Sequence, residues 1–153
     1  MTARAAMLLV CCLAGAQAGC ALGPDSSYVA ATGQPADARA LADSMAGFVA
    51  DHLPAASSTV ALDPTPAAQA ENATTSDLVE ALRRRGFAVA EAGQPAPSAA
   101  HRLRYLVTPL DSGTLVRLTL DGRLSAARYF VRSSAGDLHA GGPYTVIQAA
   151  GAS

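Results

Sequence analysis

The sequence predicts an α+β domain: a two-layer sandwich, with an antiparallel-dominated sheet and two helices on one face. Two amphipathic stripes of helical spacing lie in the first half of the chain, with short strand-like runs between and after them. From His101 onward, three alternating runs are joined by Asp-Ser-Gly and Asp-Gly, and Asp-Gly between such runs is the strongest short hairpin signal a sequence can carry. The expected order is helix, strand, helix, strand and then a three- or four-stranded meander.

The chain of 153 residues opens on a leader, 1–19. Arg4 supplies a short positive region, and Ala5 to Ala16 is an uncharged apolar run that ends in small residues. That is the pattern of a secretory signal, because a spanning helix needs about 20 apolar residues to cross about 30 Å of hydrocarbon. A buried core helix fits poorly, since the run has no polar face.

Two cuts compete at the end of this leader. Ala16-Gln17-Ala18 has the small-x-small form that a general signal peptidase accepts, whereas Gly19-Cys20 ends like a bacterial lipoprotein box. The cysteines are Cys11, Cys12 and Cys20, so none remains beyond Cys20 to form a disulfide in an exported domain. Cleavage after Ala18 would leave one exposed thiol in an oxidising compartment. With cleavage before Cys20, as in a lipoprotein, the same thiol would be alkylated and protected, which accounts for a lone cysteine standing there. Cys20 is therefore the candidate lipidation site, with Gln17 occupying the place where a lipobox usually has an aliphatic residue. Three acyl chains would exceed the two signals that stable anchoring requires. Ala21 stands where lipoproteins retained at the inner membrane commonly carry Asp, which points to the outer membrane.

What remains after the leader suffices for one domain and hardly two. Half of the residues are apolar but only 5% are aromatic and Trp is absent, so the core must be built from Ala, Leu and Val. Residues 20–36 mix Gly, Pro, Ser and small side chains without periodicity, the composition of a flexible tether. A single α+β domain is expected over 37–148, followed by a small-residue tail, 149–153.

Leu41, Met45, Phe48, Val49 and Leu53 form one stripe of a helix from about Ala38 to His52, with Asp37 placed to cap it and Pro54 to end it. Ser58 to Asp63 reads as a short strand closed by Pro64-Thr65-Pro66. A second helix is expected from about Ser76 to Arg85, with Leu78, Val79 and Leu82 inward and Gly86 as its left-handed stop. Arg83, Arg84 and Arg85 complement the negative end of its dipole. They read as a solvated helix end, with a phosphate or lipid-headgroup patch as the sharper alternative.

Phe87 to Ala90 is a further strand, and Gly93 to Ala100 breaks the chain. His101–Leu110, Gly113–Asp121 and Arg123–Arg132 then form the meander, with Leu103, Tyr105 and Val107 on one face and Arg102, Arg104 and Leu106 on the other. Pro109 favours an edge or a strand end at its position. "GDLHAGG" at Gly136 to Gly142 reads as a turn, and Tyr144 to Gln148 as a final strand.

Charge is uneven although the chain carries a net −1. From Cys20 to Leu82, Arg39 alone stands against eight carboxylates. From Arg83 to Ser153, nine Arg stand against Glu91, Asp111, Asp121 and Asp137. The resulting basic meander suits an acidic partner protein, an anionic headgroup or single-stranded DNA. Nucleic acid fits least well, because only Tyr105, Tyr129 and Phe130 could stack bases and some of these belong to the core.

Nothing in the chain carries an enzyme's signature. G-x-S-x-G, HExxH, P-loop and dinucleotide fingerprints are missing, and His52, His101 and His139 have no metal-ligand spacing. No catalytic residue, cofactor or metal is therefore expected. A Ser-His-Asp constellation needs no adjacency in sequence, so only the fold can test it.

The lipoprotein-type signal, the helix around Met45 to Leu53, "ALRRRGFAV" at Ala81 to Val89 and "YLVTPLDSGTLVRLTLDGRLSAARYFV" at Tyr105 to Val131 together resemble the TrbH family of conjugal transfer lipoproteins, from Trb-type mating-pair formation systems. Gly86, Leu115, Arg117, Leu118, Arg128 and Tyr129 carry the likeness most clearly; Gln17 and the C-terminal tail depart from it. The resemblance implies a non-enzymatic structural component of a type IV secretion apparatus that moves plasmid DNA. It implies attachment to the outer membrane by lipid, a periplasm-facing domain and outer-membrane core subunits as partners; direct contact to DNA is not expected, because the aromatic stacking platform is missing. A lipoprotein of general envelope assembly would share the same physical features, and a small envelope hydrolase would require Ser, His and acidic groups to converge in a pocket.

Overall fold

The computed structural model describes residues 26–30, 35–66 and 72–148. In chain order these form β1 (Tyr28–Val29), α1 (Pro35–His52), a 3-10 turn (Ala55–Ser57), β2 (Thr59–Leu62), α2 (Ala73–Arg84), β3 (Ala88–Ala90), β4 (His101–Leu110), β5 (Gly113–Leu120), β6 (Leu124–Arg132), β7 (Leu138–Ala140) and β8 (Thr145–Gln148). Two helices and one mixed sheet of eight strands make an α+β fold, as expected.

The sheet runs β3-β2-β4-β5-β6-β7, with β1 beside β4 and β8 beside β6. Neighbours from β4 onward are antiparallel, whereas β3, β2 and β1 run parallel to the strands they join. The parallel pair β2–β3 follows from α2 between them, since a helical crossover returns the chain in its original direction. Two short strands share each long edge. β2 pairs with His101 to Leu103 and β1 with Leu106 and Val107, and between them the Tyr105 amide donates to Ser27 Oγ at 3.3 Å. On the far side, β8 pairs with Leu124 to Ala127 and β7 with Phe130 to Arg132.

The core lies against one face. Leu103 opposes Leu120, Tyr105 opposes Leu118 and Val107 opposes Val116, and all six are buried. They share one cluster with Leu41, Met45, Phe48 and Val49 of α1 and with Leu78, Val79 and Leu82 of α2, the inward residues that the periodicity predicts. Each fully buried side chain of this size contributes about 1.5–3 kcal/mol. Polar tips tie the helices to the same sheet face. Tyr105 Oη lies 2.6 Å from Thr75 Oγ1 of α2, while Arg128 Nη1 donates to Ser44 Oγ of α1 at 3.1 Å.

The local chemistry of the turns follows the sequence. Asp121 (φ 54°) and Gly122 (φ 67°) both adopt the left-handed region that a tight hairpin requires. Gly86 (φ 89°) ends α2, with its amide donating to Arg83 O and that of Phe87 to Leu82 O, a paired closure of the last helical carbonyls. Pro109 sits near the end of β4, past the residues that pair with β1, where a missing amide is tolerated.

Four expectations need correction. Asp37 does not cap α1; the helix begins at Pro35, and Asp37 lies in its first turn, 3% exposed, where Arg132 Nη2 donates to Oδ2 at 2.6 Å and Nη1 to Oδ1 at 3.2 Å. The hydrogen bond to Asp37 pushes the Arg132 guanidinium up from its ordinary pKa, against a smaller opposing effect of desolvation. The second helix starts at Ala73, because Asn72 Oδ1 accepts the Thr75 amide at 2.8 Å and captures the cap before Ser76 is reached. Tyr28–Val29, inside the expected tether over 20–36, is a strand, held by Ser27 N donating to Pro64 O and Ala30 N to Val107 O. Within "GDLHAGG", Leu138–Ala140 pairs with β6 instead of turning, because buried Leu138 supplies the apolar anchor.

Candidate functional site

Alternation along a strand sends successive side chains to opposite faces, so the residues opposite to the core form a second, solvent-facing sheet surface. Register sets them in rows. Arg104, Thr119, Ser125 and Ile147 occupy one row across β4, β5, β6 and β8; Leu106, Arg117, Ala127 and Thr145 occupy the next. The short side chains of Thr119, Ser125 and Ala127, set among Arg104, Leu106, Arg117 and Ile147, leave a hollow of about 310 Å³. At about 4.8 Å per strand, each row spans roughly 14 Å.

The basic surface expected from the sequence is smaller than its arginine count, because most guanidiniums are engaged within the chain. Arg102 donates to Asp63 through Nε at 3.0 Å and Nη2 at 2.7 Å. Arg83 pairs with Glu91, Arg84 with Glu80 and Asp43, and half-buried Arg85 donates to the Asp43 carboxylate, the Asp43 carbonyl and the Ala81 carbonyl. Arg84 and Arg85 thus bridge α2 to Asp43 of α1, while Arg83 and Arg84 stay about half exposed at the helix end, as the solvated reading expects. Arg128 and Arg132 face the core side, with Arg128 donating to Gly142 O at 2.7 Å and lying 5.1 Å over the Tyr144 ring. Among the described residues Arg117 and Arg123 are exposed and form no ion pair, and Arg104 makes only a 3.5 Å contact to Thr119 Oγ1. These three constitute the available positive charge of the meander.

A second hollow, of about 520 Å³, adjoins the first and includes Asp63, Arg102, Arg104, Asp121 and Ser125. Beside it His101 Nδ1 lies 2.7 Å from Asp121 Oδ2, while Asp121 Oδ1 accepts the Arg102 amide at 2.8 Å. The aspartate thus fastens the β5–β6 turn to the start of β4. Among the described residues no serine hydroxyl is hydrogen-bonded to a histidine: His52 Nδ1 donates to Phe48 O at the end of α1, and His101 is held by Asp121. No group of three or more His, Cys, Asp or Glu in the described residues could hold a metal ion. No described helix is long and apolar enough to cross a membrane. Cys20, the candidate lipidation site, lies outside the described residues.

Two features of the surface were hidden from sequence reasoning. The first is β8, whose Val146 is 43% and Ile147 67% exposed, which the reading of Tyr144 to Gln148 as a final strand does not reveal. The second is Tyr144, which turns inward beside Phe48 with its hydroxyl 3.0 Å from Ser44 Oγ. Burial raises the Tyr144 pKa, and its contacts to Ser44 and Arg128 oppose that rise. Only the break Gly141-Gly142-Pro143 before it signals that the chain changes direction there.

No curated protein and no solved structure matches the chain. A family model, "Conjugal transfer protein TrbH", matches residues 22–150, including every described strand and both helices. By its description this is a family of conjugal transfer proteins. The match runs through the helix end and the meander that carry the resemblance, and the chain therefore belongs to the TrbH family of conjugal transfer proteins.

Proposed function

We propose that this chain is an outer-membrane-anchored lipoprotein, facing the periplasm, that serves as a structural component of a conjugative type IV secretion apparatus. Family membership over residues 22–150 carries the conjugal role. The anchor is supported by the leader 1–19 and by Cys20 as the one cysteine beyond Cys12. In this reading acyl chains on Cys20 fix the N-terminus in the bilayer and the residues before Ser26 set the reach. The domain is a two-layer sandwich whose helices cover one sheet face, so the other face and its borders are presented to outer-membrane core subunits. No step of chemistry is assigned to it.

Mass spectrometry of the mature N-terminus and fractionation of a Cys20→Ser variant test the anchor. The expected result is an acylated Cys20 in the wild type, loss of the variant from membranes and reduced plasmid transfer, with the domain still folded. A mature chain starting at Gly19 without lipid overturns the anchor. Plasmid transfer at the wild-type rate from cells lacking the chain overturns the apparatus role.

A further inference from the structure

Among the described residues β8 pairs with β6 alone, and all four of its residues are exposed. Val146 and Ile147 point to opposite faces, so their exposure shows that neither face of this strand is covered. The strand carries no charge, proline or bulge, the devices by which sheet edges ordinarily avoid further pairing. Three β-branched residues in sequence also favour the extended backbone that a pairing edge needs. By contrast β3, at the opposite border, is a three-residue run of small side chains with Ala90 buried.

One end of β8 is flanked by a positive charge that forms no ion pair among the described residues. Gln148 and Arg123 line one hollow of about 300 Å³ together with His52, Leu120 and Leu124. Arg117 stands in the row that ends at Thr145, and Arg104 in the row that ends at Ile147. A second copy, paired antiparallel by two-fold symmetry, would set uncharged Thr145 and Tyr144 opposite the Gln148 end and leave Arg123 without an anionic partner. A lipid surface would satisfy the arginines and leave the edge amides and carbonyls unpaired. An extended acidic polypeptide satisfies both.

We propose that the free edge of β8 takes up an extended segment of a partner polypeptide by strand addition, with an apolar or β-branched centre beside Val146 and Ile147 and an acidic flank against Arg123 at the Gln148 end. Backbone hydrogen bonds supply the affinity and Arg123, beside Gln148, selects the acidic flank, while Arg117 and Arg104, two and three strands further in, add only to long-range steering. The apparatus reading enters only as the source of such a partner.

The test uses the full chain purified in detergent and a labelled ten-residue probe of alternating Thr and Val ending in three Asp. Matched probes end in Lys or Ser, and one acidic probe is N-methylated at alternate amides. The acidic probe is expected to bind about tenfold more tightly than the Lys probe. Its affinity should fall with salt, and its binding should shift the amide resonances of residues 145–148. Arg123→Glu, at an exposed turn, should reverse the preference, and N-methylation should abolish binding. Equal binding of the N-methylated probe, binding to anionic phospholipid vesicles in place of the peptide, a concentration-dependent dimer through β8, or no binding of any probe would each overturn the inference. Failure here with plasmid transfer still dependent on the chain rejects the edge site alone. Binding here with transfer independent of the chain rejects the apparatus role alone.

Discussion

Gly113 begins β5, directly after the Asp111-Ser112 turn and opposite Val131. A Cβ at this position would lie 1.9 Å from the Phe130 carbonyl oxygen and 2.8 Å from Tyr129 Oη. Real Cβ contacts are essentially never shorter than 3.0 Å, so β5 and β6 would have to part by about 1.1 Å at this point. The obstructing atom is backbone within a paired ladder, so no rotamer change relieves it. Overpacking costs typically about 1–3 kcal/mol, and disturbing a ladder hydrogen bond adds about 1 kcal/mol. Gly113→Ala is therefore expected to destabilise the domain by about 3 kcal/mol. At roughly 4 °C per kcal/mol for a domain of this size, the midpoint should fall by about 12 °C in a thermal melt followed by circular dichroism. Gly142→Ala is the control, because nothing lies within 4 Å of its added Cβ and its φ is not in the left-handed region; it should stay within about 0.5 kcal/mol of wild type. A Gly113→Ala midpoint within about 2 °C of wild type would refute the close approach of the two strands.

Two further outcomes follow from the helix cap and from Tyr105. Asn72→Ala should cost about 1 kcal/mol in urea unfolding by removing the acceptor of the Thr75 amide, while Ser76→Ala, inside the helix, should change little; the reverse ranking would place the cap at Ser76. Burial raises the Tyr105 pKa above 10.0, partly offset by its hydrogen bond to Thr75, so the folded chain holds this proton more tightly than the unfolded one. Its contribution is fully present below about pH 10 and is lost as pH rises through the raised folded value. Tyr105→Phe should lower the midpoint at pH 8 through loss of a bond worth about 1 kcal/mol, yet flatten the alkaline decline measured between about pH 9 and 11. An unchanged alkaline slope would contradict the burial of this hydroxyl.

Much of the fold was legible because it depends on short-range periodicity. The stripe Leu41, Met45, Phe48, Val49 and the trio Leu78, Val79, Leu82 are buried as their spacing requires, and Asp121-Gly122 turns where only its backbone freedom allows. The misplaced boundaries share one cause: a cap or a short strand is decided by which neighbour satisfies the backbone first. Asn72 reached the Thr75 amide before Ser76 could serve, and a distant Arg132 drew Asp37 into the first turn of α1. Tyr28–Val29 has no sequence signal of its own and becomes a strand because β4 leaves part of its edge free beyond β2.

The candidate site divides along the same line. Arrangement along the chain determined the two helical faces, the meander and the surplus of arginine after Leu82, since each is a property of neighbours in sequence. Only the tertiary structure decided which arginines remain available, because ion pairing joins residues as distant as Asp37 and Arg132. It likewise decided that β8, an apolar run like those of the core, overhangs the helices with both faces exposed, for burial depends on what is packed above a strand and not on the strand's own composition.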